Sequence, residues 1–229
     1  PVLLLQGSKR EAEDVARANP SIRLIQYRAS GAPPTEPQRV GRTLLVTPGE
    51  FGKAVLRLVW RGGEFRDYAA VALGPDVADD PDASRVVSRY LQRVADEDLL
   101  GRLPRPRDDA FAGNRTCGSC HAEAEAVWRS SAHSSAHKTL VDEGHDRDPE
   151  CVGCHVVGLD STQGFRSLVD TPDLADVGCE SCHGPGADHA KSPVAFPMPK
   201  VVAASCAPCH TGSHSPKFSF AEYWARVRH

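Results

Sequence analysis

The sequence lacks several features that mark common classes of protein. Neither cysteine nor histidine occurs before Cys117, which excludes a metal or redox centre built on these residues from the first half. Aromatic residues make up only 6% of the 229 residues, and methionine occurs once, as Met198. The 27 basic residues do not outnumber the 30 acidic ones, which argues against a nucleic-acid-binding protein. No apolar run approaches the roughly 18 residues that cross a bilayer.

Glycine and proline are abundant by comparison, with 19 and 18 residues. This composition predicts a loop-rich chain whose core is partly filled by something other than side chains. The N-terminal stretch VLLLQG has no basic residues before it and is too short for the apolar region of a secretory signal. Because the chain begins at Pro1 rather than at methionine, we expect it to be a processed or trimmed product.

All eight cysteines belong to four C-x-x-C-H pentads, CGSCH, CVGCH, CESCH and CAPCH. This pattern is typical of c-type haem attachment, in which two thiols form thioethers to the porphyrin and the adjacent imidazole binds the iron. The sequence therefore predicts four covalently attached haem c groups. The expected attachment residues are Cys117, Cys120, Cys151, Cys154, Cys179, Cys182, Cys206 and Cys209, and the proximal iron ligands are His121, His155, His183 and His210.

Two other uses of C-x-x-C pairs compete with haem attachment. Two pairs can form one structural zinc site, and one pair can form a redox disulfide. Neither use places a histidine directly after every pair, as this sequence does. The pattern therefore favours haem over zinc or disulfides.

The four motifs are crowded into residues 117–229, which leaves too little polypeptide for four separate pockets. The haems are therefore expected to pack closely against one another. Since this type of haem attachment takes place outside the cytoplasm, we expect a periplasmic or extracellular protein.

Six histidines lie outside the motifs and are candidates for distal iron ligands. Histidine on both sides of the iron suits a low-potential electron carrier, whereas methionine on one side raises the potential. Met198, between two prolines, can serve at most one haem. The six histidines are His133, His137, His145, His189, His214 and His229.

Residues 111–229 resemble the tetrahaem cytochrome c-554 family. The likeness lies in CGSCHAEAEAVWRSSAHSSAHKTL, in CVGCHVVGL, in GCESCHGPGADH, and in CAPCH followed by KFSFAEYWARVRH. The resemblance implies that His189 is the distal ligand of the first haem, His133 of the third and His229 of the fourth. It also implies that the second haem, attached at His155, is the one left five-coordinate in members with an open iron.

This chain departs from the family pattern at His137, four residues after His133. The Ala-rich stretch 122–140 predicts a helix, on which residues four apart share a face. We therefore expect a six-coordinate second haem with His137 as its distal ligand. His145 and His214 are alternatives, as is an open iron.

Residues 1–103 predict a separate small α/β domain. Strands are expected at VLLLQG, IRLIQY, TLLVTP, AVLRLVW and DYAAVALG, the last two joined as a hairpin at Gly62-Gly63. Helices are expected after the Ser8 cap and over 81–100, whereas RASGAPPTEPQRVG reads as a loop. Residues 104–113 are expected to link this domain to the haem domain, 114–229.

The stretch VGRTLLVTPGEFGKAVLRLVW weakly resembles the C-terminal part of calcineurin-like metallophosphatase, or nucleotidase, domains. In that family a G-x-H-x-H metal motif precedes this stretch, but here the matching place reads QYRASG. We therefore expect a non-catalytic scaffold or docking module.

The fold class predicted is α+β, with a small α/β domain before a mainly helical, loop-rich multihaem domain. The function predicted is electron transfer by four mostly bis-histidine haems between redox protein partners, without nucleic acid, a transmembrane segment or enzyme activity. One alternative is a subunit of an extracellular haem filament formed by self-association. Another is a redox enzyme acting on a small nitrogen or oxygen species at one open iron.

Overall fold

The computed structural model describes residues 1–229 and contains two compact units, residues 1–80 and 81–229. Helices and strands both occur, in agreement with the expected mixed α and β class. No helix combines the length and the apolar character that a membrane span requires.

The first unit is built on a four-stranded sheet with the order β1-β2-β4-β3. β1, β2 and β4 are parallel, and β3 pairs with β4 in the antiparallel direction. Its elements are β1 (Val2–Leu4), α1 (Lys9–Ala18), β2 (Leu24–Gln26), β3 (Gln38–Val40) and β4 (Thr43–Val46). The strand β3 lies in a stretch that we expected to be a loop. Its three residues are too few to produce a detectable alternation after the preceding prolines.

The helix α1 begins as expected, at Ser8. The Ser8 hydroxyl accepts a hydrogen bond from the Glu11 N–H, and the Glu11 carboxylate accepts one from the Ser8 N–H, which forms a capping box. Ala12 and Ala16 face Ile25 and Leu45 of the sheet in one buried cluster. The short side chains allow the helix to lie close to the strands.

This unit also contains a two-stranded sheet, which is the predicted hairpin of β5 (Ala54–Arg61) and β6 (Glu64–Ala72). Gly62 and Gly63 both have positive φ, 59° and 81°, which two-residue hairpin turns require and glycine adopts without strain. Leu56 and Leu58 of one face pack on a buried cluster of β2 and β4 residues.

The second unit begins about twenty residues before the expected boundary, at Pro81. The helix α2 (Pro81–Asp96) is followed by Leu100, which is buried in one cluster with Leu140, Val152 and Phe165. This burial ties the segment after α2 to the second unit rather than to the first. The remaining helices are α3 (Asn114–Gly118), α4 (Ala122–Arg129), α5 (Ala136–Glu143), α6 (Pro149–Val152), α7 (Cys179–His183), α8 (Ala187–Lys191), α9 (Ala203–Cys206) and α10 (Phe220–Trp224), with 3-10 turns at Ala132–Ser135 and Pro172–Leu174.

The single helix expected over 122–140 is broken into α4, a 3-10 turn and α5. Three serine hydroxyls at the break bind backbone carbonyls: Ser130 binds Val127, Ser131 binds Trp128 and Ser134 binds Arg129. Such bonds compete with a regular helix. As a result, His133 and His137 lie in different elements and do not share one helical face, which corrects the geometry expected for His137.

Candidate haem-binding site

Each C-x-x-C-H pentad lies on a short helical turn of the second unit. In the first motif, the N–H groups of Cys120 and His121 both bind the Cys117 carbonyl, at 3.2 and 3.0 Å. In the fourth motif, Cys209 and His210 bind the Cys206 carbonyl in the same way, at 3.3 and 2.9 Å. A turn of this kind brings the two thiols and the imidazole to one region. This is the arrangement that thioether attachment and iron ligation need together.

The structure favours neither a zinc site nor disulfides at the cysteines. None of the eight cysteines forms a disulfide. The group of metal-ligand side chains that lie together is His145, Asp148 and Cys151, which contains one cysteine rather than the several that a structural zinc site would take from two motifs.

The four motifs lie close to one another through their cysteines. A hydrogen bond between Cys117 and Cys179 raises the pKa of Cys117 and lowers that of Cys179 to about 7. Burial, followed by the charge of Cys154, raises the pKa of Cys209 to about 12. Burial, and to a smaller extent the negative charge of Cys206, raises the pKa of Cys182. These contacts link the first motif to the third, the third to the fourth, and the fourth to the second.

Three of the four motif histidines face a second histidine ring. The ring centres are 6.1 Å apart for His121 and His189, with 22° between the planes. The other two pairs are His133 with His210, at 6.1 Å and 56°, and His183 with His229, at 5.8 Å and 50°. Each pair joins one motif histidine to one histidine that lies outside the motifs.

Three of these six histidines, and His155 of the second motif, are held through Nδ1 by a backbone carbonyl. Because a carbonyl oxygen only accepts, Nδ1 must carry the hydrogen and Nε2 is left with a free lone pair. The Nδ1–carbonyl distances are 2.6 Å for His155 and Ala136, 3.1 Å for His183 and Pro199, 2.9 Å for His189 and Phe196, and 3.0 Å for His229 and Val227.

Burial favours the neutral form of the pair formed by His133 and His210. Burial lowers the pKa of both imidazoles below its ordinary value, and for His133 the neighbouring His210 lowers it further. A neutral imidazole is the form that binds a metal ion.

The three pairs fit an iron ion bound from both sides. Metal–imidazole bonds are about 2 Å long, so two opposed ligands of one iron have ring centres about 6 Å apart. The observed separations, 5.8 to 6.1 Å, agree with this value. The residues that would hold the porphyrins are the cysteine pairs beside each proximal histidine.

The pairing differs from the one that the family resemblance implied for the third and fourth haems. His133 faces His210 of the fourth motif, and His229 faces His183 of the third, which is the reverse of the pairing that the resemblance implied. The C-terminal segment explains this difference. Phe218 stacks on the ring of His210 at 4.4 Å and Tyr223 packs edge-on at 5.8 Å, so the chain has already passed the fourth motif when it reaches His229.

His155, the fourth proximal histidine, is in none of these ring pairs. Its Nδ1 donates to the carbonyl of Ala136, the residue before His137. The backbone next to His137 is therefore held at the Nδ1 edge of the His155 ring, and His155 is near enough to contribute to the lowered pKa of His137, after burial. The ring of His137 is buried and contacts Phe165, with 5.3 Å between centres. The structure thus does not bring His137 opposite His155.

The three remaining candidate distal ligands, His145, His214 and Met198, form no opposed pair with a motif histidine. His145 is 3.5 Å from Asp148 and 3.9 Å from the thiol of Cys151, on the attachment side of the second motif. His214 is exposed, and Met198 is half-buried in a segment without helix or strand. None of the candidate distal ligands of the second haem forms an opposed ring pair with His155, so the sixth ligand of that haem stays a prediction.

The sequence reading missed Glu180 and Asn114, two polar residues at the junction of the first and third motifs. Glu180 is buried, and its carboxylate accepts three backbone hydrogen bonds. Asn114 accepts a hydrogen bond from the N–H of Cys179. The sequence does contain a signal for Glu180, because it is a charged residue between two haem-attachment cysteines. Haem attachment itself does not require a charge at that position.

The first unit has no comparable cluster. The carboxyl ends of β1, β2 and β4 border an open cleft of about 330 Å³. Its lining contains no histidine and no carboxylate, and consists of Leu4, Leu5, Gln6, Gln26, Tyr27, Arg28, Pro48 and Gly49. This lining does not supply the ligands of a dinuclear metal centre.

Comparison with known proteins places the likeness in the second unit. Residues 116–184 match the family described as Cytochrome c554 and c-prime. Cytochrome c-554 of Nitrosomonas europaea is 38% identical over 108 residues, which cover 39% of this chain and 46% of that protein. The C-type polyheme cytochrome OmcB of Geobacter sulfurreducens is 36% identical over 89 residues, 36% of this chain and 12% of that protein.

The chain therefore spans less than half the length of the curated relatives it matches. No solved structure matches it. The resemblance of residues 1–103 to metallophosphatase domains gains no support from these matches. The segment that carries the first three motifs is therefore similar to cytochrome c554, and the relatives that it matches are multihaem c-type cytochromes by name.

Proposed function

We propose that the chain is an electron-transfer protein in which residues 114–229 hold four covalent haems that pass single electrons between redox partners. The observation that carries this proposal is the set of three opposed histidine pairs, each with one member next to a C-x-x-C pair. Imidazole on both sides closes an iron to exogenous ligands and suits outer-sphere electron transfer at low potential.

The haem groups, when bound, supply the redox change, and the polypeptide holds them in a fixed order. The packing of α3 on α7 and of α7 on α9 supports a series from the first motif through the third to the fourth, and the second motif is near the fourth through Cys154 and Cys209. The carbonyls of Pro199, Phe196 and Val227 fix the orientation of three axial imidazoles through Nδ1. Rigid ligands limit the reorganisation that accompanies each electron transfer.

A second candidate function is the reduction or oxidation of a small nitrogen or oxygen species at the second haem. It is favoured by one observation: His155 is the motif histidine that belongs to none of the three opposed histidine pairs. An iron bound by His155 alone would keep one coordination position for an exogenous ligand. Electron transfer remains the leading function because it uses all four motifs.

A filament of many subunits has less support. One route to such a filament is ligation of a neighbouring copy's haem by His229. The ring of His229 lies 5.8 Å from His183 of the same chain, which supports ligation within one chain instead. A periplasmic or extracellular location is proposed from the chemistry of haem attachment. The first unit is proposed to be a scaffold or docking module.

The test is a reductive titration of the purified protein followed by addition of carbon monoxide. The proposal expects four electrons per chain and carbon monoxide binding at one haem per chain. Uptake of fewer than four electrons would contradict the electron-transfer assignment. Carbon monoxide binding at no haem would remove the second candidate function and leave the first intact.

A further inference from the structure

The carboxylate of Glu180 is buried at a point where three haem-binding segments meet. Glu180 is only 5% exposed and lies between Cys179 and Cys182 of the third motif. Its Oε1 accepts hydrogen bonds from the N–H groups of Ala112, at 2.9 Å, and Gly186, at 2.7 Å. Its Oε2 accepts one from the N–H of Gly113, at 2.8 Å. Both carboxylate oxygens are thus used, and all three donors are backbone groups.

These three donors belong to the segments that carry the axial ligands of the first haem. Ala112 and Gly113 directly precede α3, which contains Cys117 of the first motif and leads to His121. Gly186 directly precedes α8, which carries His189. One carboxylate therefore fixes the starting points of both segments whose histidine rings face each other at 6.1 Å.

Asn114 makes a second link across the same junction. Its Oδ1 accepts from the N–H of Cys179 at 2.9 Å, and its Nδ2 donates to the carbonyl of Ala175 at 3.4 Å. The approach is close, because a Cβ atom added at Gly178 would lie 2.3 Å from Asn114 Oδ1. Two sets of hydrogen bonds therefore join the first and third motifs. Glu180 of the third motif binds the backbone just before Asn114, and Asn114 binds the backbone just before Glu180.

The charge of Glu180 is balanced only by peptide dipoles. The ion pairs of the structure do not include it. A buried charge is weakly screened, so its field acts on neighbouring groups more strongly than that of an exposed carboxylate. A negative charge disfavours the addition of an electron to a nearby iron.

We propose that Glu180 is the positioning residue of the first haem: it aligns His121 and His189 on one iron and holds the reduction potentials of the first and third haems low. The proposal rests on the four-haem function proposed above. Asn114 supports this role by fixing the distance between the two motifs.

The test uses the full-length holoprotein with Glu180→Gln, which keeps the size of the side chain and removes its charge. A glutamine amide also turns one acceptor oxygen into an NH2 donor, which cannot bind a backbone N–H. Glu150→Gln is the matched control, because Glu150 is an exposed carboxylate directly before Cys151 of the second motif. Intact mass is measured first, so that failure of the four-haem assignment appears in the wild-type protein, separately from any effect of Glu180.

The expected result has two parts. In Glu180→Gln, two of the four midpoint potentials rise, and the low-spin paramagnetic resonance signal of one haem changes, because that signal reports the relative orientation of the axial imidazoles. In Glu150→Gln, the resonance spectrum is unchanged and any rise in potential is smaller. Wild-type potentials and spectrum in a four-haem Glu180→Gln protein would overturn the proposal.

A second variant covers the case in which Glu180→Gln does not assemble. Glu180→Asp keeps the charge but is one methylene shorter and cannot reach all three N–H groups. We expect this variant to show the altered resonance signal with little change in potential. A wild-type resonance signal in a four-haem Glu180→Asp protein would show that the carboxylate does not position this ligand pair.

Discussion

Replacing the last residue, His229, with alanine should open the third haem to exogenous ligands. The His229 ring faces His183 with 5.8 Å between ring centres, and its Nδ1 donates to the carbonyl of Val227, which leaves Nε2 free for the iron. Alanine removes the whole ring and with it the nitrogen that would form a bond of about 2 Å to the iron, and its methyl group offers no ligand atom. The helix α10 should stay in place, because Phe218 and Tyr223 still pack on His210.

The size of the effect follows from counting the ligand pairs. The structure contains three opposed pairs and one unpaired proximal histidine, His155. The reduced wild-type protein should therefore bind one carbon monoxide per chain, and His229→Ala should bind two. Titration with carbon monoxide, followed by absorption spectroscopy, measures this ratio. An imidazole solution added to the variant should restore the low-spin spectrum.

His214→Ala is the control, since His214 is exposed and faces no motif histidine. It should bind as much carbon monoxide as the wild-type protein. The reasoning would be refuted if His229→Ala bound one carbon monoxide per chain, because the ring pair would then not share an iron.

Two further predictions concern the two units. Phe165 is 2% exposed in the core beneath the second motif, so Phe165→Ala should lower the free energy of unfolding by about 3–5 kcal/mol. Denaturant unfolding would measure this loss, with the exposed Leu168→Ala expected to stay within about 0.5 kcal/mol; a loss below about 1 kcal/mol for Phe165→Ala would contradict the packing described. The first unit, residues 1–80, should bind no pair of metal ions and hydrolyse no phosphate ester, because it contains no histidine. Metal analysis that found two ions in this unit, or turnover of a phosphate ester, would show that expectation to be wrong.

The sequence predicted those features that depend on short-range chemistry. The Ser8 cap, the Gly62-Gly63 hairpin and the strands around α1 follow from local preferences, and the structure has all three. The four pentads identify haem attachment because the spacing of cysteine and histidine is itself the chemical requirement. In these cases the local sequence carries the whole cause of the structure.

The features that depend on competing local hydrogen bonds or on distant contacts were not predicted. The break after Arg129 arises from three serine hydroxyls that bind backbone carbonyls three to five residues before them, although the stretch around them is rich in helix-forming alanine. The pairing of His133 and His229 depends on where the C-terminal segment passes, which packing against His210 decides. The boundary at Pro81 depends on Leu100, whose burial partners lie forty or more residues away.

The central claim, that this chain holds four covalent haems, is tested most directly by the intact mass of the purified, denatured protein. Thioether attachment survives denaturation, so the account predicts the mass of the polypeptide plus four haems. Replacing Cys151 and Cys154 together with alanine should remove one haem mass and leave three. A wild-type mass equal to that of the polypeptide alone, or with fewer than four haems, would contradict the account.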